Sequence, residues 1–320
     1  MTDKTAEKYR RLYASFVAHS RRHLDTAESV VLHDSALDMY LDEKYLEGFA
    51  QSVLRDTVYA VAWRLNLHLR DLPLSQMALR GLRKLCPDQS RNPVTWEALL
   101  LIVDELCASA DPADVLAGAA AMIQFDSYAR PTALPNVCET DLFPPSRGST
   151  SSAWSLTFWP STTIKTSKTG TQDDTVTIGQ NLSHRDGLHL VAKALKNRTP
   201  KNHKLFPLHL TDYGRRLRVA SCRLGLRNAN IVPHMLRHGG ASMDALHNVP
   251  RDVIQERGQW AVARSVQRYS KHGRYLRELH QLTDGQLKRA NALACTLPRR
   301  LAARLNYLPY VPSRVTRGKV

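Results

Sequence analysis

The chain has 320 residues, of which 43% are hydrophobic, and its 45 lysines and arginines against 29 aspartates and glutamates give a formal charge of +16. This length allows two ordinary domains, each with its own core. The charge favours a polyanion as partner, with nucleic acid as the first candidate, over the alternative that it serves only solubility.

The five cysteines are spread along the chain and form no Cys-x-x-Cys pair. We therefore expect a reducing compartment, without a disulfide framework or a zinc site. No uncharged apolar run approaches the roughly 18 residues of a membrane span, and residues 1–23 lack the apolar region of a signal peptide. These features predict an intracellular protein with no membrane role.

The domain organisation follows from changes in periodicity. Apolar residues at helical spacing predict a helical domain over residues 30–86, preceded by an N-terminal arm of residues 1–29. The prolines and polar residues of CPDQSRNPV break this pattern and predict a linker at 87–93. A second domain of enzyme size is predicted over 94–278, followed by a basic tail over 279–320.

The second domain begins and ends with helical patterns around a short β region. Thr95 is the predicted N-cap of its first helix, and ADVLAGAAAMIQFDSYA predicts a second, buried helix. The alternating AWSLTFWP and the β-branched TVTIG predict two strands joined by a hairpin-like connection. Helical patterns return from about Gly187. The predicted fold class is therefore mainly α with a small antiparallel sheet, an α+β domain preceded by a helical one.

The stretch VPHMLRHGGAS, residues 232–242, carries the first part of a candidate site. Pro233 suits the first turn of a helix, and the three-residue step places His234 and Arg237 on one helix face. Taken alone, this pair more often represents a buried histidine and a surface arginine. Its meaning therefore depends on the stretch that follows.

The second stretch, RDVIQERGQWAVARSVQRYS, reads as two short helices. Gly258 is the predicted left-handed C-cap of the first helix, and Trp260 lies where the second begins. Tyr269 follows nine residues later, between Arg268 and Lys271, so its hydroxyl is expected in a positive field. Tyr213 and Tyr275 are rival tyrosines that do not stand at this nine-residue step.

Together the two stretches resemble the tyrosine recombinases, which include the phage integrases. That family has H-x-x-R followed by a His or Trp nine residues before a nucleophilic Tyr, and residues 234–269 match this order and spacing. The resemblance covers residues 94–275 in motif. By helical content and the position of the linker it extends to residues 30–93, which would form the family's DNA-clamping domain.

The resemblance also implies the earlier members of the site. Arg130, in YARPTALPNVCETDLF, matches the family's first arginine, and Lys168, in SKTGTQDDTVTIG, matches its hairpin lysine, with Lys165 as the weaker choice. Ala133 stands where the family often has an acidic residue, so a carboxylate that would orient Arg130 is missing. The implied catalytic residues are Arg130, Lys168, His234, Arg237, Trp260 and Tyr269.

These residue types suit attack on a phosphodiester. Charge builds on the non-bridging oxygens, and two guanidiniums, Arg130 and Arg237, are planar, cationic donors for them. A tyrosine hydroxyl has a pKa of roughly 10, so Tyr269 needs a base or nearby cations to become a nucleophile. His234 would supply the base or a donor, and Lys168 would protonate the leaving sugar oxygen.

The resemblance implies a site-specific DNA recombinase or integrase derived from a mobile element. Its partner would be double-stranded DNA, its working assembly a homotetramer, with the 279–320 tail able to dock on a neighbouring protomer. No cofactor, metal or small-molecule substrate is expected, since phosphate-loop and metal motifs are missing. The expected location is with the DNA inside the cell, which is the nucleus in a eukaryote and the cytoplasm or nucleoid in a bacterium.

Several alternatives stay open. Ala133 motivates a catalytically inactive, domesticated DNA-binding protein, and the shared chemistry allows a type IB topoisomerase-like relaxase. The basic segment 215–227 is either a phosphate-contacting helix or a solvated face. His238, next to Arg237, is expected to form a structural hydrogen bond.

Overall fold

The computed structural model describes residues 3–24, 29–85, 91–146, 153–158, 175–179, 186–226 and 230–311. The chain divides into two compact units, Met1–Ser90 and Arg91–Val320. This division lies within residues 87–93, where the sequence predicts a linker.

The first unit is helical in its described residues. Its helices are α1 (Asp3–Leu24), α2 (Val30–Leu46), α3 (Gln51–Arg64) and α4 (Pro73–Leu85). They enclose a core in which Phe16, Leu37, Leu54 and Val58 are fully buried. Phe16 belongs to the segment predicted as an N-terminal arm, so α1 contributes to this core.

The second unit combines further helices with a small sheet. Its helices are α5 (Trp96–Ala108), α6 (Pro112–Ser127), α7 (Leu188–Arg198), α8 (Leu210–Arg223), α9 (Pro233–Leu246), α10 (Arg251–Arg257), α11 (Ala263–Tyr269), α12 (His272–Leu279) and α13 (Asp284–Tyr307). The sheet has the antiparallel order β1 (Leu142–Phe143), β2 (Trp154–Thr157) and β3 (Thr175–Ile178). The predicted fold class, mainly α with a small antiparallel sheet, is confirmed.

The two predicted strands pair directly. Trp154 lies opposite Ile178, and Leu156 lies opposite Val176. These four side chains are buried, whereas Ser155 and Thr177 between them are half-buried, so the apolar face of the sheet covers the core. The connection between β2 and β3, with Lys165 and Lys168, lies outside the described residues.

Helices α5 and α6 form the centre of the second unit. The Thr95 hydroxyl accepts a hydrogen bond from the Ala98 amide at 3.1 Å, which confirms the predicted N-cap. Asp111 caps α6 in the same way. Nearly every side chain of α6 from Val115 onward is buried, as its apolar sequence predicts. Among the described helices, none is both long and apolar enough to cross a membrane.

Helix α13 packs into the core of the second unit. Leu297, Leu301 and Leu305 are fully buried at its contacts with α5 and α7. Arg289 and Arg300 both bind Asp104 of α5, at 2.6 and 2.9 Å. The predicted boundary at residue 279 therefore has no counterpart in the packing, and docking of the tail on a neighbouring protomer stays a prediction.

Candidate active site

The site forms where α9 crosses α6. Residues 239 and 240 of α9 are glycines, and a Cβ at either position would overlap Phe125 of α6. At Gly239 it would also overlap the Val94 carbonyl, and at Gly240 the ring of Tyr128. These two glycines thus let α9 approach α6 closely, which brings the preceding turn of α9 to the end of α6.

Tyr128 ends α6 in an unusual conformation. Its backbone is left-handed, with φ of 50°, although it is not glycine. Its side chain is fully buried, and its hydroxyl donates a hydrogen bond to Asp244 of α9, which is equally buried. The pair holds the end of α6 against α9.

Arg237 lies at the centre of the site and is 3% exposed. Its Nη1 donates to the Tyr128 carbonyl, and its Nη2 donates to the Gly258 carbonyl at 2.7 Å. Its buried Nε has no partner among the described residues. Burial lowers the pKa of the guanidinium to about 10, so Arg237 remains cationic at neutral pH.

The turn between α10 and α11 differs from the prediction. Gly258 has φ of −78°, so the predicted left-handed cap at this residue is wrong. The left-handed residue is Gln259, with φ of 51°. Gly258 is needed for a different reason: a Cβ there would overlap the ring of Trp260.

Tyr269, at the end of α11, lies in a stack of rings. Its ring centroid is 4.7 Å from that of Trp260 and 4.5 Å from that of His238, with small interplanar angles. The Arg237 guanidinium lies 5.1 Å from the centroid of the same ring. Ser242 of α9 donates to the Tyr269 carbonyl at 3.1 Å. These contacts fix the direction of the phenol.

His234 lies beside the phenol oxygen. Its Nε2 is 3.4 Å from the Tyr269 hydroxyl. Burial, together with the cations Arg91, Arg237, Arg130 and Lys271, lowers the pKa of His234 to about 4. The imidazole is therefore neutral at pH 7 and able to accept a proton.

Two neighbouring groups are also shifted. Burial and the charge of Lys271 lower the pKa of His238 to about 3. Burial, with Arg274 and Arg268 nearby, lowers the pKa of Lys271 to about 8. This excess of positive charge around the three groups is typical of a site that binds an anion.

Arg130, two residues after Tyr128, lines a small pocket with Arg237, Arg257 and Gln259. Ala133 also lines it and is 2% exposed. Trp260 directly follows Gln259 in the chain. Its buried indole Nε1 has no partner among the described residues. The structure thus brings together the five described members of the predicted set, whereas Lys168 lies outside the described residues.

The rival tyrosines have structural roles. The Tyr213 hydroxyl donates to Gln124 Oε1 at 2.8 Å, and the Tyr275 hydroxyl accepts from the Trp96 amide at 2.7 Å. Both side chains are buried in the main core. Neither hydroxyl is available to an external phosphate.

Sequence reasoning missed a buried ion pair beside the pocket. Arg257 binds the fully buried Asp126 through Nη2, at 3.1 Å, and donates from Nε to the Asp126 carbonyl at 2.8 Å. It also reaches Thr177 of β3, at 3.3 Å. The two partners are 131 positions apart, so the sequence contains no local signal of this contact.

No protein-family model matches this chain, and no curated protein does. Among solved structures, a crystal structure of XerA recombinase aligns with 91% of this chain and 92% of that chain, at 15% sequence identity and a TM-score of 0.42.

Proposed function

We propose that this chain breaks and rejoins DNA strands through a covalent phosphotyrosyl intermediate, as a site-specific recombinase or integrase of the tyrosine type. The observation that carries the proposal is the 3.4 Å approach of the Tyr269 hydroxyl to the neutral imidazole of His234. A phenol, a base and a buried guanidinium thus lie side by side. Nucleophilic attack on a phosphodiester requires these three groups.

In the first step the Tyr269 oxygen attacks phosphorus. Its proton passes to Nε2 of His234, a phosphorus–oxygen bond to the sugar breaks, and a phosphotyrosyl ester forms. The leaving sugar oxygen takes up a proton and becomes a hydroxyl. By resemblance, Lys168 supplies that proton, from a segment outside the described residues.

A bound phosphate would make His234 a stronger base. In the free protein the pKa of His234 is lowered in part by the cations Arg91, Arg237 and Arg130. An anionic phosphate in the pocket offsets their charge, so it raises the affinity of His234 for a proton. His234 would therefore become a stronger base when the substrate is bound.

Donors without partners among the described residues indicate where the phosphate would bind. Arg237 uses two of its five N–H groups on backbone carbonyls, and its Nε remains for a ligand. The buried indole N–H of Trp260 is a further donor without a partner among the described residues. Together with Arg130 they would stabilise the charge that develops on the non-bridging oxygens.

The second step reverses the first. A sugar hydroxyl attacks the phosphotyrosyl ester and gives up its proton, by resemblance to Lys168. The bond between phosphorus and the Tyr269 oxygen breaks, and His234 returns a proton to that oxygen. Because one phosphoester replaces another, the bond energy is conserved. When the attacking hydroxyl belongs to a second DNA, strands are exchanged, and a tetramer on two DNA sites is the assembly that the family resemblance implies.

The proposal is tested by trapping the covalent intermediate. On a nicked suicide duplex the leaving fragment diffuses away, so the parent protein should form an adduct that survives denaturation. Tyr269→Phe keeps the ring stack but lacks the nucleophilic oxygen, and it should form none, a loss of at least about 10³-fold. Denaturing electrophoresis with labelled DNA measures the adduct.

Tyr307→Phe is the matched control, because Tyr307 is 89% exposed at the end of α13. It should form the adduct at the parent rate. An adduct of equal yield from Tyr269→Phe would show that another residue is the nucleophile.

A second candidate function is DNA binding without strand breakage. The observation that favours it is Ala133, an apolar residue in the lining of the pocket that holds Arg130. If the parent protein binds duplex DNA but forms no adduct on it, this second function is the correct one. Relaxation of supercoiled plasmid without exchange between two sites would instead indicate a type IB relaxase.

A further inference from the structure

Gln259 adopts a backbone conformation that disfavours its side chain. Its φ of 51° is in the left-handed region, where glycine is unstrained and other residues are not. The turn is held by backbone bonds alone: the Gln259 amide donates to the Glu256 carbonyl at 2.8 Å, and the Trp260 amide donates to the Gln255 carbonyl at 3.1 Å. The turn itself therefore does not require a glutamine.

The side chain of Gln259 is also costly where it lies. The residue is 9% exposed, and its buried Nε2 has no hydrogen-bond partner among the described residues. A buried amide donor without an acceptor is destabilising. Two unfavourable features at one residue indicate that the side chain serves a ligand.

The surroundings of Gln259 indicate the kind of ligand. Gln259 lines the pocket with Arg130, Arg237 and Arg257. Asp126 is engaged by Arg257, whereas the Nε of Arg237 is a second buried donor without a described partner. The pocket thus offers N–H groups and positive charge, so the ligand must be an acceptor and an anion.

We propose that Gln259 is a further phosphate-contacting residue, whose Nε2 donates to a non-bridging oxygen of the DNA phosphate held by Arg130 and Arg237. The inference deepens the proposed function and rests on it. A neutral amide suits this position, because it adds a donor without adding repulsion among three guanidiniums.

The test compares two variants of the full chain. Gln259→Gly removes the donor and relieves the backbone, so the melting temperature should stay or rise while the rate of adduct formation falls about 10²-fold. Gln259→Glu keeps the shape but replaces the amide with a carboxylate that repels phosphate, so its rate should fall further. Nicked duplexes of randomised sequence are the substrate, and the recovered adduct identifies a defined site.

Asn248→Gly is the matched control. Asn248 also has a left-handed backbone, with φ of 60°, but it is exposed in the turn after α9. The same relief of strain there should leave the rate of adduct formation unchanged. A rate for Gln259→Gly equal to that of the parent would overturn the inference.

A modified substrate separates direct contact from a merely structural effect. In a methylphosphonate at the scissile position, one non-bridging oxygen is replaced by methyl. If Gln259 contacts that oxygen, the defect of Gln259→Gly should vanish on one stereoisomer and persist on the other. An equal defect on the phosphate and on both stereoisomers would contradict the contact.

Failure of the proposed function has a different outcome. If the parent protein forms no adduct with any duplex, the strand-breaking function is wrong, whatever the variants do. Binding of inorganic phosphate then tests the pocket alone: it should raise the melting temperature of the parent more than that of Gln259→Gly. An equal rise in both proteins would show that Gln259 contacts no anion.

Discussion

Arg237 shows how much of the site depends on one side chain. Its two η nitrogens connect the end of α6, at Tyr128, to the turn at Gly258, and its guanidinium lies over the rings of Trp260 and Tyr269. A lysine has neither the planar fork nor the number of donors for these contacts. These contacts in the folded chain explain why an arginine, and not a lysine, stands at position 237.

Two histidines of α9, the half-buried His234 and the buried His238, make stability depend on pH. The pKa of His234 is lowered to about 4 and that of His238 to about 3, from an ordinary value near 6.5. As the pH falls from 6.5 towards these values, the unfolded chain binds protons that the folded chain does not, so the free energy of unfolding decreases. Above pH 6.5 the two groups are neutral in both states and add no slope.

Urea unfolding between pH 7 and pH 4 measures this dependence. For His234→Asn and for His238→Asn, the slope of unfolding free energy against pH should be smaller than that of the parent, by up to one proton each. Asn248→Gly removes no titratable group and should keep the parent slope. Parent-like slopes in the first two variants would show that these histidines do not lose proton affinity on folding.

At the scale of elements, the site depends on how closely α9 approaches α6. The short residues of HGGAS allow that approach, and the Tyr128–Asp244 hydrogen bond holds it. Ser242 then connects α9 to the end of α11. Helix α9 thus contacts both the end of α6 and the end of α11, and these contacts position the catalytic candidates.

Gly240→Ala should weaken this contact between helices. The added Cβ overlaps the Phe125 carbonyl and the Tyr128 ring, so α9 must shift, at an expected cost of about 1–3 kcal/mol in unfolding free energy. Chemical denaturation measures the loss. Gly273→Ala is the control: its Cβ meets nothing within 4 Å in α12, so stability should be unchanged or slightly higher. Equal stability of both variants would argue against the close packing.

At the scale of the whole molecule, the charge of +16 is the dominant property. Part of the positive charge is neutralised within the fold: Arg216 binds Asp212 and Asp111, and Arg289 binds Asp104. Other cations, such as Arg218 on α8, are exposed. These exposed cations are the ones that a polyanion can reach.

If duplex DNA is the partner, binding should depend steeply on salt. With about 6–10 phosphates contacted, affinity should fall roughly 10³- to 10⁵-fold between 50 and 200 mM salt. Fluorescence anisotropy of a labelled duplex over a salt series measures the slope of log affinity against log salt. Arg218→Gln should reduce that slope by about one if α8 contacts a phosphate. An unchanged slope would identify α8 as a solvated face.

Local sequence patterns were enough to predict the helices of the first unit, the two strands and the Thr95 cap, and they include the spacing from His234 to Tyr269. The left-handed backbone of Gln259, the pairing of Arg257 with Asp126 and the place of α13 in the core became visible only in the folded chain. The difference between the two groups lies in the range of the interactions. Periodicity, caps and motif spacing act between residues close in the chain, whereas burial, ion pairing and backbone strain depend on neighbours that folding brings together from distant positions.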